Sequence, residues 1–166
     1  MTLSNQDMLD LARTLPIPSP WDRDVFVQGV ADMRGRPITL IPTDTASLID
    51  SPCGLWLRRD SDDLILHEAG TSDYHVDQIV CHEIGHMLLG HGVAVRPTTD
   101  GQHRAEVCRG LLPTLDPESV LAVLGRKEFE VDQERDAEMF AYILMLTAME
   151  RSNEASMMRS VFFRSR

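Results

Sequence analysis

The sequence predicts an α+β fold in one domain, on three observations. Three short β-like runs are clustered in the first half, amphipathic helical segments flank them, and 166 residues are enough to bury a core without disulfides. With 43% apolar and 25% charged residues the composition is that of a folded chain. The domain is expected over residues 1–150, with a loosely ordered tail over 151–166.

Asn5 to Leu15 is a short amphipathic helix ended by Pro16, Pro18 and Pro20. Ser19 as N-cap, Pro20 at the first helical position and Asp22 in the first turn announce a second helix that runs to about Arg34 and stops at Gly35. Pro37–Ile41, Gly54–Arg58 and Leu64–His67 read as strands of a small antiparallel or mixed sheet. Ser72 caps a helix whose apolar positions Val76, Ile79, Val80, Ile84, Met87 and Leu88 recur at helical spacing until Gly90 and Gly92. Val93 to Gly110 reads as a loop, and Asp116-Pro117 opens a short helix that Gly125 closes. Phe129 to about Met149, amphipathic and then almost wholly apolar, is the central core helix.

A formal charge of −10 repels phosphate backbones, which argues against direct nucleic-acid binding and for a protein or peptide partner. No apolar stretch approaches a membrane span, and Met1–Asp10 lacks the layout of a secretory signal, so a cytoplasmic location is expected. The odd cysteines Cys53, Cys81 and Cys108 suit a reducing compartment. Cys81 precedes His82 by one residue, about 100° around the helix, and reads as core. Trp21 and Trp56 are core or edge anchors.

The run His82-Glu83-Ile84-Gly85-His86 is an H-E-x-x-H pattern inside a segment assigned as helix on independent grounds. Residues four apart lie about 40° apart around the axis, so both imidazoles can reach one zinc ion. Glu83, on the flank of that face, can take a proton from the hydrolytic water and pass it to the leaving amine. A catalytic zinc uses three protein ligands, so one more is needed. His91 follows past the Gly90 break, its direction undetermined, and the metzincin third histidine would fall on Gly92, which excludes that class.

The final helix offers the third ligand. Glu134, Ala137, Glu138 and Ala141 share a face, so Glu134 can reach the metal while the two alanines allow close approach. Asp136 is the rival and points about 200° away, so only one of the two can ligate. Glu138 is placed to orient a ligand histidine through its far nitrogen. Tyr142, His75, His103 and Arg96 are candidate oxyanion donors among which the sequence does not choose.

His82 to His91, H-E-I-G-H-M-L-L-G-H, and Glu134 to Ala141, E-R-D-A-E-M-F-A, resemble the ImmA/IrrE family of metallo-endopeptidases, whose members carry H-E-L-G-H-x-x-L-G-H-like and E-x-E-A-N-x-F-A-like segments. Asp136 and Glu138 stand where the family commonly has Glu and Asn. The gap of 48 residues from His86 to Glu134 is long for it, so residues 93–127 are expected to form a lid or docking insertion. The resemblance implies intracellular cleavage of a separate helix-turn-helix transcriptional repressor.

The combined expectation is a zincin-like α+β domain, its small sheet packed on the helices carrying His82, Glu83, His86 and Glu134, with Zn2+ as cofactor and an extended substrate added as a strand at the sheet edge. A catalytically silent zinc module that sequesters a regulatory protein is the alternative from another class. A structural zinc site would need a fourth ligand, for which His91 and Cys81 are poorly directed.

Overall fold

A computed structural model describes residues 3–44, 54–91, 101–125 and 129–163, apart from the side chains of 101–103 and 163. The chain is α+β, with helices α1 (Asn5–Thr14), α2 (Arg23–Arg34), α3 (Asp73–Leu88), α4 (Gly101–Leu111) and α5 (Val131–Phe163) around strands β1 (Ile38–Thr43), β2 (Gly54–Arg59), β3 (Asp63–Glu68) and β4 (Val120–Leu124).

Local chemistry sets the first elements. Ser4 and Asp7 form a reciprocal capping box at the start of α1, each satisfying a backbone N–H of the other. The second helix starts three residues later than expected: the Asp22 carboxylate accepts from the Val25 N–H at 3.0 Å and makes Asp22, not Ser19, the N-cap. Gly35, at φ 64°, ends it in the left-handed region.

The sheet has the order β1-β3-β2-β4, with β1 parallel to β3 and both other pairs antiparallel, so it is mixed. Two departures from expectation explain one another. Part of the supposed loop is the helix α4, and the supposed helix after Asp116-Pro117 is one 3₁₀ turn, Pro117–Ser119, followed by β4. The run Val120-Leu121-Ala122-Val123-Leu124 is apolar throughout, and periodicity does not separate a buried strand from a helix in so short a run. Pairing with β2 decides it.

Both faces of the sheet are covered, which is why β2 and β3 are buried along most of their length. Trp56, Ile65, Ala122 and Leu124 pack with α1, α2, α3 and α5, with Phe26, Phe140, Ile84 and Leu144 at the centre. Leu55, Leu57, Leu64 and Leu66 pack on the other face with Val107 and Cys108 of α4 and Val123 of β4. The part of 93–127 that is described therefore supplies core, whereas 93–100, 126 and 127 lie outside the described residues.

The last helix runs 33 residues, well past Met149 and through most of the supposed tail. Arg151 fastens its middle to the end of α1 by donating to the carbonyls of Arg13, Leu15 and Ile17. Beyond it α5 projects with Met157, Met158, Val161 and Phe162 exposed.

Each tryptophan is anchored through its indole N–H, Trp21 to Asp77 at 2.9 Å and Trp56 to Asp63 at 3.0 Å. Fully buried Asp63 also accepts from Arg34 and Arg36, both at 2.9 Å, and so ties α2 to the sheet. Asp63→Ala removes the acceptor of the buried Trp56 indole N–H and the carboxylate partner of Arg34, while Arg36 keeps its bonds to the Arg59, Asp60 and Asp62 carbonyls. A loss of about 3 kcal/mol is expected from chemical denaturation, since removing one partner of a buried ion pair leaves the others uncompensated. A loss under about 1 kcal/mol would show that water replaces the carboxylate freely.

Candidate metal centre

Ser72 caps α3 by accepting from the His75 N–H, and the helix then carries His82 and His86 on consecutive turns of one face. Against that face lies the first turn of α5, which presents Glu134. The two helices approach closely because Gly85 sits opposite Ala137: a Cβ at Gly85 would lie 3.3 Å from the Ala137 carbonyl and 3.4 Å from the Phe140 ring. The small residue at Ala137 therefore serves the expected close approach, with Gly85, inside the motif, making the matching half.

The donor atoms converge. His82 Nε2 and His86 Nε2 are 3.1 Å apart, and the Glu134 carboxylate oxygens lie 3.4 Å from the first and 3.2 Å from the second. Ligands at about 2.0–2.1 Å from a tetrahedral ion stand about 3.3–3.4 Å from one another, so the three groups already have the spacing of a coordination triangle. Among the described residues, Asp136 is buried but belongs to no such group; the carboxylate that lies with the two imidazoles is that of Glu134.

Burial alone would raise the Glu134 carboxyl, but hydrogen bonds and charge from His82 and His86 outweigh it and hold it at about 2. Burial lowers His86, with the neighbouring His82 adding to that. For His82, burial is outweighed by the hydrogen bond to Glu134 and by the charges of Glu83, Glu134 and Glu138, and its pKa rises. The site thus keeps an ionised carboxylate beside two imidazoles, a donor set suited to a divalent cation.

No family model matches this chain, and no curated protein or solved structure matches it either.

Glu83 is buried beside these donors, and burial pushes its carboxyl from 4.5 to about 7. Its Oε2 has no hydrogen-bond partner among the described residues. Gly54 of β2 closes over Oε1, where a Cβ would come within 3.0 Å of it and 2.6 Å of the Ile79 side chain. A buried carboxylate with a free oxygen beside a candidate metal triangle fits a proton carrier and is costly as a purely structural group.

The structure brings in two residues whose roles the sequence did not give. Phe129 stacks flat on His86, ring centroids 3.7 Å apart at 10°, and helps leave that imidazole 1% exposed. His91 meets His86 through their Nδ1 atoms at 2.9 Å. Burial, with the charge of His86, holds His91 down at about 4, so it is neutral and can accept the His86 Nδ1 proton, which leaves Nε2 free for the metal. That is the orienting role expected of Glu138. Glu138 is instead exposed.

The other candidates stand apart. His75 pairs with Glu68 at 3.5 Å, Tyr142 is 62% exposed two turns beyond Glu134, and Arg96 and the His103 side chain lie outside the described residues. Cys81 is fully buried and free, its thiol pushed to about 12 by desolvation, as expected of a core residue. Among the described residues no helix is long and apolar enough to cross a membrane.

Glu134→Ala is expected to weaken metal affinity by more than the roughly 10–100-fold that loss of an orienting partner costs. Asp136→Ala should leave it unchanged. Competition titration of the purified variants with a zinc-sensitive dye measures both, and the reverse order would move the third ligand to Asp136.

Proposed function

We propose that the chain is a zincin-like zinc endopeptidase of the ImmA/IrrE kind, acting in the cytoplasm on a separate helix-turn-helix regulator. One observation carries the reading: His82, His86 and Glu134 converge on one point with the unpartnered carboxylate oxygen of Glu83 beside them. Two imidazoles and one carboxylate are a known catalytic zinc set, leaving a coordination position open to solvent or substrate. The opening side is that of His82, whose side chain is 23% exposed.

When bound, zinc polarises the scissile carbonyl and brings the pKa of water from about 16 toward about 7. His86, locked between Phe129 and His91, and His82 present Nε2 atoms, and Glu134 closes the triangle. Glu83 accepts the proton of the attacking water and delivers it to the leaving nitrogen. A pKa near 7 suits both halves of that transfer, because the same group must be base and then acid at one pH. An extended substrate adds to an edge of the sheet; β4 supports this as an edge strand that pairs with β2, whose Gly54 closes over Glu83.

The test is incubation of zinc-loaded protein with a helix-turn-helix regulator encoded beside its gene, with fragments mapped by mass spectrometry. Cleavage at one or few bonds, abolished by a chelator and restored by zinc, is expected. Cleavage that survives chelation would remove the metal from the mechanism.

A further inference from the structure

The metal triangle does not end the contact between α3 and α5. One turn before His82 on α3 is Gln78, and one turn before that Tyr74; one turn after Glu134 on α5 is Glu138, followed by Ala141, Tyr142 and Met145 on the same face. These six residues line a cavity of about 210 Å³. Its two rims are tyrosines, 60% and 62% exposed, although neither is needed by the core. Its floor is apolar through Ala141 and Met145, and its one charge is the exposed carboxylate of Glu138. The cavity adjoins the metal centre, because Gln78 lies one turn from His82 on α3 and Glu138 one turn from Glu134 on α5.

We propose that this cavity is a specificity subsite for an arginine side chain of the substrate, close to the bond that is cut. A guanidinium is planar and weakly hydrated, stacks on tyrosine faces and pairs with a carboxylate, while its three methylenes lie along apolar walls. Tyr74 and Tyr142 supply the faces, Glu138 the carboxylate, Ala141 and Met145 the walls, and the Gln78 amide a further acceptor. The chain's charge of −10 favours approach of a basic segment over an acidic one. One helical turn between cavity and ligands, about 5.4 Å, compares with about 3.3 Å per residue of extended peptide, which puts the arginine within about two residues of the scissile bond. The inference rests on the endopeptidase reading for the meaning of that bond, and on the cavity alone for arginine recognition.

The experiment therefore separates binding from cutting. Zinc-loaded protein carrying Glu83→Gln is titrated by NMR with the capped tripeptides Ala-Arg-Ala and Ala-citrulline-Ala, which differ in charge and hardly in shape. The arginine peptide is expected to bind at least about fivefold more tightly, with a difference that shrinks in salt. Glu138→Gln should abolish the preference, Tyr142→Ala should weaken both peptides, and neither should change zinc content. Equal binding of the two peptides, no binding of either, or a preference that survives Glu138→Gln overturns the subsite. A parallel assay of the parent chain on quenched peptides should show a kcat/KM about tenfold higher for arginine than for citrulline next to the cut. If the arginine peptide binds as expected and nothing is ever cut, the subsite stands and the endopeptidase reading falls.

Discussion

Glu83→Gln is expected to lower cleavage by a factor on the order of 10² to 10⁴ while leaving zinc content near that of the parent, because Glu83 lies outside the His82, His86 and Glu134 group and the proposed hydrolysis would use it as a proton carrier. The same substitution has a second, opposite effect on the chelated protein. Glu83 has a folded pKa of about 7 against an ordinary value of 4.5, so its ionisation opposes folding. That penalty is absent below about pH 4.5, grows as pH rises and is complete above about pH 7, where a shift of this size corresponds to on the order of 3 kcal/mol. Chelated Glu83→Gln should therefore be more stable than the chelated parent at pH 8 and equal to it at pH 4 in urea titrations. A variant that loses activity and zinc together would make Glu83 a structural group. If the parent binds a regulator tightly without cutting it and Glu83→Gln behaves alike, the silent sequestering module replaces the protease.

The two histidines of the candidate metal group were legible because their spacing is a property of one helix. A period of 3.6 puts His82 and His86 on one face whatever else the chain does, and the same arithmetic separates Glu134 from Asp136 once one of them must face α3. The three strands and the caps at Ser72 and Gly35 were legible for a similar reason, since each depends on residues within a few positions. What the sequence did not yield depends on distant partners. Val120–Leu124 is a strand only because β2 lies beside it. His91 follows a glycine at φ 75°, so no helical count gives its direction, and its Nδ1 contact with His86 exists only in the folded chain. Phe129 looked like the start of a helix. Its stacking on His86 depends on how α5 packs against α3, which a single aromatic residue ahead of a helix does not announce.

That packing makes the two motif histidines unequal, and the inequality can be measured. His82→Ala and His86→Ala should each abolish stoichiometric zinc binding, because each removes one of the three converging donors. Their costs to the metal-free fold should differ. The His82 side chain is 23% exposed and its loss removes only its contacts with Glu134 and the His86 ring, so chelated His82→Ala should unfold within about 1 kcal/mol of the parent. His86 is 1% exposed; its removal opens a cavity under Phe129, strips Glu134 of a hydrogen bond and leaves His91 Nδ1 without its recorded partner. Chelated His86→Ala should lose about 2–4 kcal/mol, the range for truncating a buried side chain that also holds polar neighbours. Zinc content after dialysis and urea titration in chelator give the two readouts. Among the described residues His91 is an imidazole close enough to swing in as a substitute ligand, so His86→Ala/His91→Ala serves as the control. Zinc retained by His86→Ala but lost from the double variant would show that His91 can ligate. Zinc retained by both would mean that the His82, His86 and Glu134 triangle is not the metal centre.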